Sequence, residues 1–294
     1  MLWAVFTLIA AAAQTARNAM QRELTTSLGT VGATHVRFLF GFPFAILFLA
    51  GVMGATGYGW PAIPPLFWLW VVFGAATQII ATATMLSVMG ERSFVVSYAY
   101  IKTEPVQVAL FGFVFLGDHI TLLTGLAIVV ATAGVVLISL KPGAASASTT
   151  RSTLIGLFSG TMFAVSAIGY RGAVLSLGHP NFVLAATFTL AFGLLMQAGL
   201  LTLYLVLREP QVLRNIMKMW KPSMLAGFMG AFASEFWFLA FAIATAASVR
   251  TLALVEVLFA QGITRFVFKQ PTTPREGLGI VLVVVGVALL VWAY

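Results

Sequence analysis

Cysteine is absent from this 294-residue chain, which excludes disulfides and thiolate metal sites. Charge is scarce as well: Asp, Glu, Lys and Arg together make up 8% of the residues, against roughly a quarter in soluble domains. Histidine is limited to His35, His119 and His179, which show no ligand spacing. No G-x-x-x-x-G-K-[ST] phosphate loop is present, which argues against an ATP-driven pump. A membrane-embedded enzyme would need a nucleophile–base pair or a metal constellation, and no histidine-based one is found. These absences point away from an enzyme and require no cofactor.

What fills the sequence is apolar: 61% of the residues are hydrophobic. Runs of about 20 apolar residues recur, each long enough to cross a bilayer as a helix. The hydropathy predicts ten spans, near 2–23, 31–53, 65–89, 93–116, 121–140, 153–175, 180–207, 221–244, 248–269 and 273–293. The expected fold class is therefore an all-α integral membrane protein. The first span lacks a basic n-region and an obvious cleavage site, so it is expected as a retained helix and not a signal peptide. The net charge of +8 sits mostly in short loops, where it suits membrane orientation and not nucleic acid. Trp3, Trp60, Trp68, Trp70, Trp220, Trp292 and Tyr294 fall near span ends and suit an interfacial aromatic belt.

The only low-complexity segment, PGAASASTTR at 142–151, is expected as a linker between two five-helix halves, 1–141 and 152–294. An internal repeat supports the division. Sliding by 152 residues lays 116–137 on 268–289, with Gly125 on Gly277, Gly134 on Gly286 and Glu104 on Glu256. Sliding by 149 lays 22–29 on 171–178, with Arg22 on Arg171. Because five crossings end on the opposite side from where they begin, the second half must be inverted. Sites in such folds lie at the midplane between the halves.

Two stretches carry a family resemblance. The fourth span ends in FVFLGDHIT and leads to a glycine-containing fifth span, and LVEVLFAQGITRFVFKQPTTPREGLGI looks like the same element repeated. The pattern resembles the EamA-type drug/metabolite transporters. In that family the position of Asp118 is commonly Glu, and Gln270 departs further. The resemblance implies ten helices in two inverted repeats and export of amino acids or other metabolites.

The candidate site is organised around the fourth span, where Lys102, Glu104 and Pro105 interrupt an apolar run. Intramembrane charge is costly, and proline removes a backbone hydrogen bond, so a kink is expected at Glu104. Helical spacing places Ser93, Ser97, Tyr100, Glu104 and Gln107 on one stripe, with Tyr98 and Lys102 on a second patch. The ninth span offers Glu256, Gln261 and Arg265, with Arg250 near its start as either a site residue or an interfacial anchor. Glu235 and Trp237 come from the eighth span, Gln78 from the third, Gln14 and Asn18 beside Arg17 from the first, and Phe163 from the sixth. Many such polar residues also join helices by hydrogen bonds.

The leading expectation is a secondary transporter exporting small zwitterionic metabolites, amino acids first. Glu104 or Glu256 would face an ammonium and Lys102 or Arg265 a carboxylate. Tyr98, Tyr100 and Trp237 would add stacking or cation–π contact. Export of organic cations or drugs is the alternative, and a lipid-modifying enzyme or a channel ranks lower. The expected partners are a small-molecule substrate and the lipid bilayer of the inner (plasma) membrane. Glu104 is a candidate carrier of a coupling proton, and the chain is expected as a monomer or weak dimer. Loops after odd-numbered spans hold Arg22, Arg92, Lys141, Arg151, Arg208, Arg214, Lys218, Lys221, Lys269 and Arg275, whereas the others hold little beyond Arg171. The positive-inside rule then places both termini outside, while the family resemblance implies both inside. Following the charge bias, a reporter fused after Tyr294 that works only in the cytoplasm should stay silent; activity would reverse the orientation.

Overall fold

In hydrocarbon every backbone N–H and C=O needs a partner, and a helix supplies all of them within one segment. The computed structural model describes residues 1–88, 94–139, 149–266 and 272–293, with the side chains at 19, 22, 94–97, 149, 152, 260 and 263–266 outside that description. Among the described residues the regular structure is all helical, with no strand. Eight helices are long and apolar enough to cross a membrane: Glu23–Thr56, Pro65–Val88, Tyr98–Leu116, Leu122–Ser139, Thr153–Ser176, Phe182–Arg208, Trp220–Ile243 and Pro274–Trp292. The chain is an all-α, multi-pass membrane protein. The expected spans 2–23 and 248–269 are not among these eight, although both regions are largely helical.

The first helix, α1 (Leu2–Leu39), is interrupted at Gly29, whose φ of 69° and ψ of 177° lie outside helical space. Glycine alone reaches such a conformation without steric penalty. The Gln21 side-chain amide donates to the carbonyl of Ala33 at 3.1 Å. Twelve residues would span about 18 Å along an unbroken helix, so the chain doubles back at Gly29. It then continues into α2 (Gly41–Thr56).

After α3 (Pro65–Val88) come α4 (Phe94–Ile101) and α5 (Glu104–Phe111), which runs into a π-helical turn at Gly112–Leu116. Next are α6 (Leu122–Ser139) and α7 (Thr149–Ser176). Residues 142–148 of the expected linker lie outside the described residues, and Thr149–Arg151 already forms the first turn of α7. The linker expected to reach residue 151 is therefore shorter at that end.

Helix α8 (Phe182–Arg208) opens on an Asn181 cap that accepts from the backbone N–H groups of Val183 and Leu184. A short helix, α9 (Pro210–Lys218), bridges to α10 (Trp220–Ile243). The last part comprises α11 (Ala246–Leu252), a 3₁₀ turn at Ala253–Val255, α12 (Glu256–Phe266) and α13 (Pro274–Trp292). Thr273 and Glu276 form a capping box at the start of α13.

Large side chains such as Leu69, Leu110, Phe113 and Leu207 are exposed, as a lipid-facing surface requires. Trp60, Trp68, Trp220 and Trp292 are exposed too, but Trp3 is buried at 3% and so is no part of a belt.

The most extensive packing pairs α1 with α10, α3 with α7, and α6 with α13. Glycine sets the closeness of the last pair. A Cβ on Gly134 would lie 2.7 Å from the Gly279 carbonyl oxygen, and one on Gly286 would lie 2.5 Å from the Ala131 nitrogen. Gly277 has nothing within 4 Å, and Gly125 meets only Ile120 at 3.9 Å. Gly134, Gly279 and Gly286 hold the interface, whereas Gly125 and Gly277 do not. One substitution at two sites on α13 tests this. Gly286→Ala should cost about 1–3 kcal/mol by overpacking, and Gly277→Ala should stay within about 0.5 kcal/mol. Equal melting temperatures of the two variants in detergent would overturn the assignment.

Candidate functional site

Pro105 has no N–H to offer the carbonyl of Ile101, so a helix running through it must fail there. The failure is a two-residue turn: α4 ends at Ile101, Lys102 and Thr103 are non-helical, and α5 begins at Glu104. Helix α7 comes close at this break through Gly160, where a Cβ would sit 3.2 Å from the Ile101 carbonyl oxygen. The expected kink at the carboxylate is thus a break just before it. The second half behaves alike, since the 3₁₀ turn at Ala253–Val255 ends where α12 begins at Glu256.

Two ion pairs join these broken elements. Arg250 of α11 holds Glu104 with a bidentate fork, Nε to Oε1 at 2.7 Å and one terminal nitrogen to Oε2 at 2.5 Å. Lys102 pairs with Glu256. Glu104, Glu256 and Lys102 are all buried. Bidentate, charge-assisted geometry is what makes a buried pair tolerable at all. Aromatic faces cover the cations: Arg250 lies 4.8 Å from the Trp237 ring centre and Lys102 lies 4.8 Å from that of Tyr98.

Arg250, Glu104, Lys102, Tyr98 and Trp237 line a cavity whose walls come from α1, α3, α4, α5, α7, α10 and α11. The outer pair α6 and α13 contributes nothing to it. Eight residues expected from the sequence lie on its wall: Gln14, Asn18, Gln78, Tyr98, Lys102, Glu104, Phe163 and Trp237. Several of them are held in place by polar partners. The Trp237 indole donates to Gln14 Oε1 at 3.1 Å, and Gln197 donates to Gln78 Oε1 at 2.8 Å. The cavity volume is about 50 Å³, where one water needs about 10–15 Å³ by the same measure. In this conformation the cavity has room for a few waters and for nothing larger.

Four expected residues lie off the wall. Tyr100 and Gln107 were placed with Glu104 by assuming one continuous helix. The break at Lys102–Thr103 ends that periodicity, and the Gln107 amide donates to Thr103 Oγ1 at 3.5 Å instead. The same break brings Lys102, assigned to a different face, beside Glu104 on the wall. Glu256 is taken up by Lys102. Glu235 is buried against α8, where Thr187 donates to its Oε1 at 2.5 Å. The side chain of Arg265 lies outside the described residues.

The sequence reading did not single out Arg37, Phe238 or Phe241, all on the wall, whereas Ser166 and Tyr170 share a helical stripe with Phe163, Ser234 precedes Glu235 and Arg17 lies beside Asn18. Arg250, left open as an anchor, is the main partner of Glu104. A usable signal existed: sliding by 152 residues lays Tyr98, already a candidate, on Arg250.

A second ion pair group closes one end of the helices. Arg171 near the end of α7 donates to Asp118 Oδ1 at 2.8 Å and to the carbonyl of Ala244 at 2.9 Å. The π turn curls Asp118 back over Gly112, where a Cβ would lie 2.9 Å from Asp118 Oδ2.

No protein-family model matches the sequence, and no curated protein does. Among solved structures, one described only as the crystal structure of a protein is similar over 99% of both chains, with a TM-score of 0.67 and 17% identity. At that identity the likeness shows the fold alone.

Removing one member of a buried pair leaves the other charge uncompensated, at a cost of about 3–5 kcal/mol. Glu104→Gln should destabilise by that order, and adding Arg250→Gln should recover most of the loss. Unfolding of the four proteins of this cycle in mixed micelles measures it. Strictly additive losses would show that the two residues are not coupled.

Proposed function

We propose that this chain is a secondary transporter that exports small metabolites, amino acids first, by alternating access around the buried cavity. The observation that carries the reading is the pair of crossed ion pairs on broken helices, Glu104 with Arg250 and Lys102 with Glu256. Irregular backbone at membrane depth is tolerated where it is buried in protein or lines a water-filled cavity. Transporters place their sites on discontinuous helices for this reason.

The proposal includes ten helices in two inverted five-helix repeats, 1–141 and 152–294. The reversal at Gly29 supports counting two spans where the helix runs on. The helical stretch Ala246–Phe266 supports a ninth span. A twofold axis relating the halves makes contacts reciprocal, and two relations support one. Gly134 meets Val283 while Gly286 meets Ala131, each residue being 152 positions from its counterpart. Helix α1 packs on α10 while α3 packs on α7.

The resemblance of FVFLGDHIT and its repeat to the EamA-type transporters supports the same reading. Cations on the wall speak against the alternative of organic-cation or drug export. Lys102, Arg17, Arg37 and Arg250 all line the cavity, with Glu104 as the facing carboxylate.

Counterflow in proteoliposomes tests the function. Vesicles preloaded with an unlabelled amino acid should take up the labelled one faster than empty vesicles, and a difference between two pH values would support proton coupling. The absence of exchange for every amino acid at both pH values would overturn amino-acid transport.

A further inference from the structure

The cavity holds two positive charges that the crossed pairs leave over. Arg17 and Arg37 both project from α1 and are both 3% exposed. Arg17 donates one terminal N–H to its neighbour Asn18 at 2.8 Å, but its Nε and its other terminal nitrogen have no partner among the described residues. Arg37 reaches Ser234 Oγ only at 3.5 Å, and its Nε has no partner.

Nearby carboxylates are committed elsewhere. Both oxygens of Glu104 are held by Arg250, Glu256 by Lys102, and Asp118 by Arg171. Glu235 accepts from Thr187 through Oε1; its Oε2 has no partner among the described residues, but the residue lies off the cavity wall. An unmatched buried charge costs several kcal/mol, on the order of 3–5 in measured cases. Two of them side by side define a strong demand for an anion.

They are side by side because α10 carries glycine beneath them. A Cβ on Gly230 would lie 3.0 Å from Arg37 Cγ and 3.6 Å from Arg17 Cδ. The same wall offers the hydroxyls of Ser166 and Tyr170, neither with a partner among the described residues. The free edge of a guanidinium is a planar donor fork matched to carboxylate or phosphate oxygens.

We infer that Arg17 and Arg37 form an oxyanion subsite, and that the transported molecule carries net negative charge through a carboxylate or phosphate. This rests on the transporter reading and narrows its substrate from neutral zwitterions to acidic amino acids, dicarboxylates or small phosphate esters.

The test reads binding and transport separately. Purified protein is titrated with L-glutamate, succinate, inorganic phosphate and L-leucine while its melting temperature is followed, and the organic compounds are then used in counterflow. The anions should stabilise the protein and L-leucine should not. Arg17→Gln and Arg37→Gln should each weaken anion binding roughly ten- to hundredfold. Neither change should lower the melting temperature without ligand, because each removes an unmatched charge. If a glutamine variant fails to fold, Gly230→Ala provides the second arm: it keeps both charges, displaces both stems and should also weaken binding.

Stabilisation by phosphate but not by the carboxylates would keep the subsite and assign it to phosphate esters. Anion binding that needs both arginines, without any counterflow, would keep the subsite and overturn the transporter reading. Counterflow of L-leucine that neither succinate nor the arginine substitutions alter would keep the transporter and overturn the subsite. The absence of stabilisation by any of the three anions would overturn it as well.

Discussion

The crossed pairing of Glu104 with Arg250 and of Lys102 with Glu256 is the constraint from which the rest of the structure follows. A charge near the bilayer centre costs about 2.5–3.5 kcal/mol on insertion scales, and four of them are concentrated here. They are tolerated only because each meets its opposite in a fixed geometry. That geometry requires α4–α5 and α11–α12 to lie against each other, with both elements broken just before the carboxylate. The breaks free each acid from a regular helical face and let it reach across. Pro105 enforces one break, and the 3₁₀ turn at Ala253–Val255 makes the other.

Around this centre the helices differ in what they do. Helices α6 and α13 meet through glycines at backbone distance and stay off the cavity, which suits them to a scaffold. Helices α1 and α10 bring polar side chains to the wall, and glycine has two uses on α10: Gly227 admits the backbone of Phe40 and Gly41, while Gly230 leaves room for two arginine stems. The aromatic side chains are divided as well. Tyr98 and Trp237 cover cations at the centre, while Trp60, Phe67, Trp68, Phe188 and Phe192 pack edge to face away from the cavity wall.

Much of this was legible in the sequence because charge is so rare. Glu104 stood out, its distance of 152 residues from Glu256 marked both as centres of their halves, and Pro105 announced an interruption. What periodicity could not deliver was the consequence of that interruption. A stripe drawn through Tyr100, Glu104 and Gln107 presumes an unbroken helix, and Lys102 was assigned to another face on the same presumption. Arg37 gave no periodic signal, being flanked by Val36, Phe38, Leu39 and Phe40 with no polar residue a turn ahead of it. Arg250 looked like an anchor because it falls near the start of its span, yet the chain carries it to the centre through α11. Gly125 and Gly134 look alike as letters, and only the approach of α13 separates them.

The crossed pairs also impose an order on biogenesis. Glu104 precedes Arg250 by 146 residues, and at about 5–20 residues per second synthesis needs roughly ten to thirty seconds to cover that distance. Through that interval the first half meets the bilayer with Lys102 and Glu104 both lacking their eventual counter-ions. Of the charges that share their cavity wall, only Arg17 and Arg37 also belong to the earlier part of the chain, and both are cations. The final pairs can form only once residues 250 and 256 have been made, so the charges of the earlier segment depend on the later one for their counter-ions.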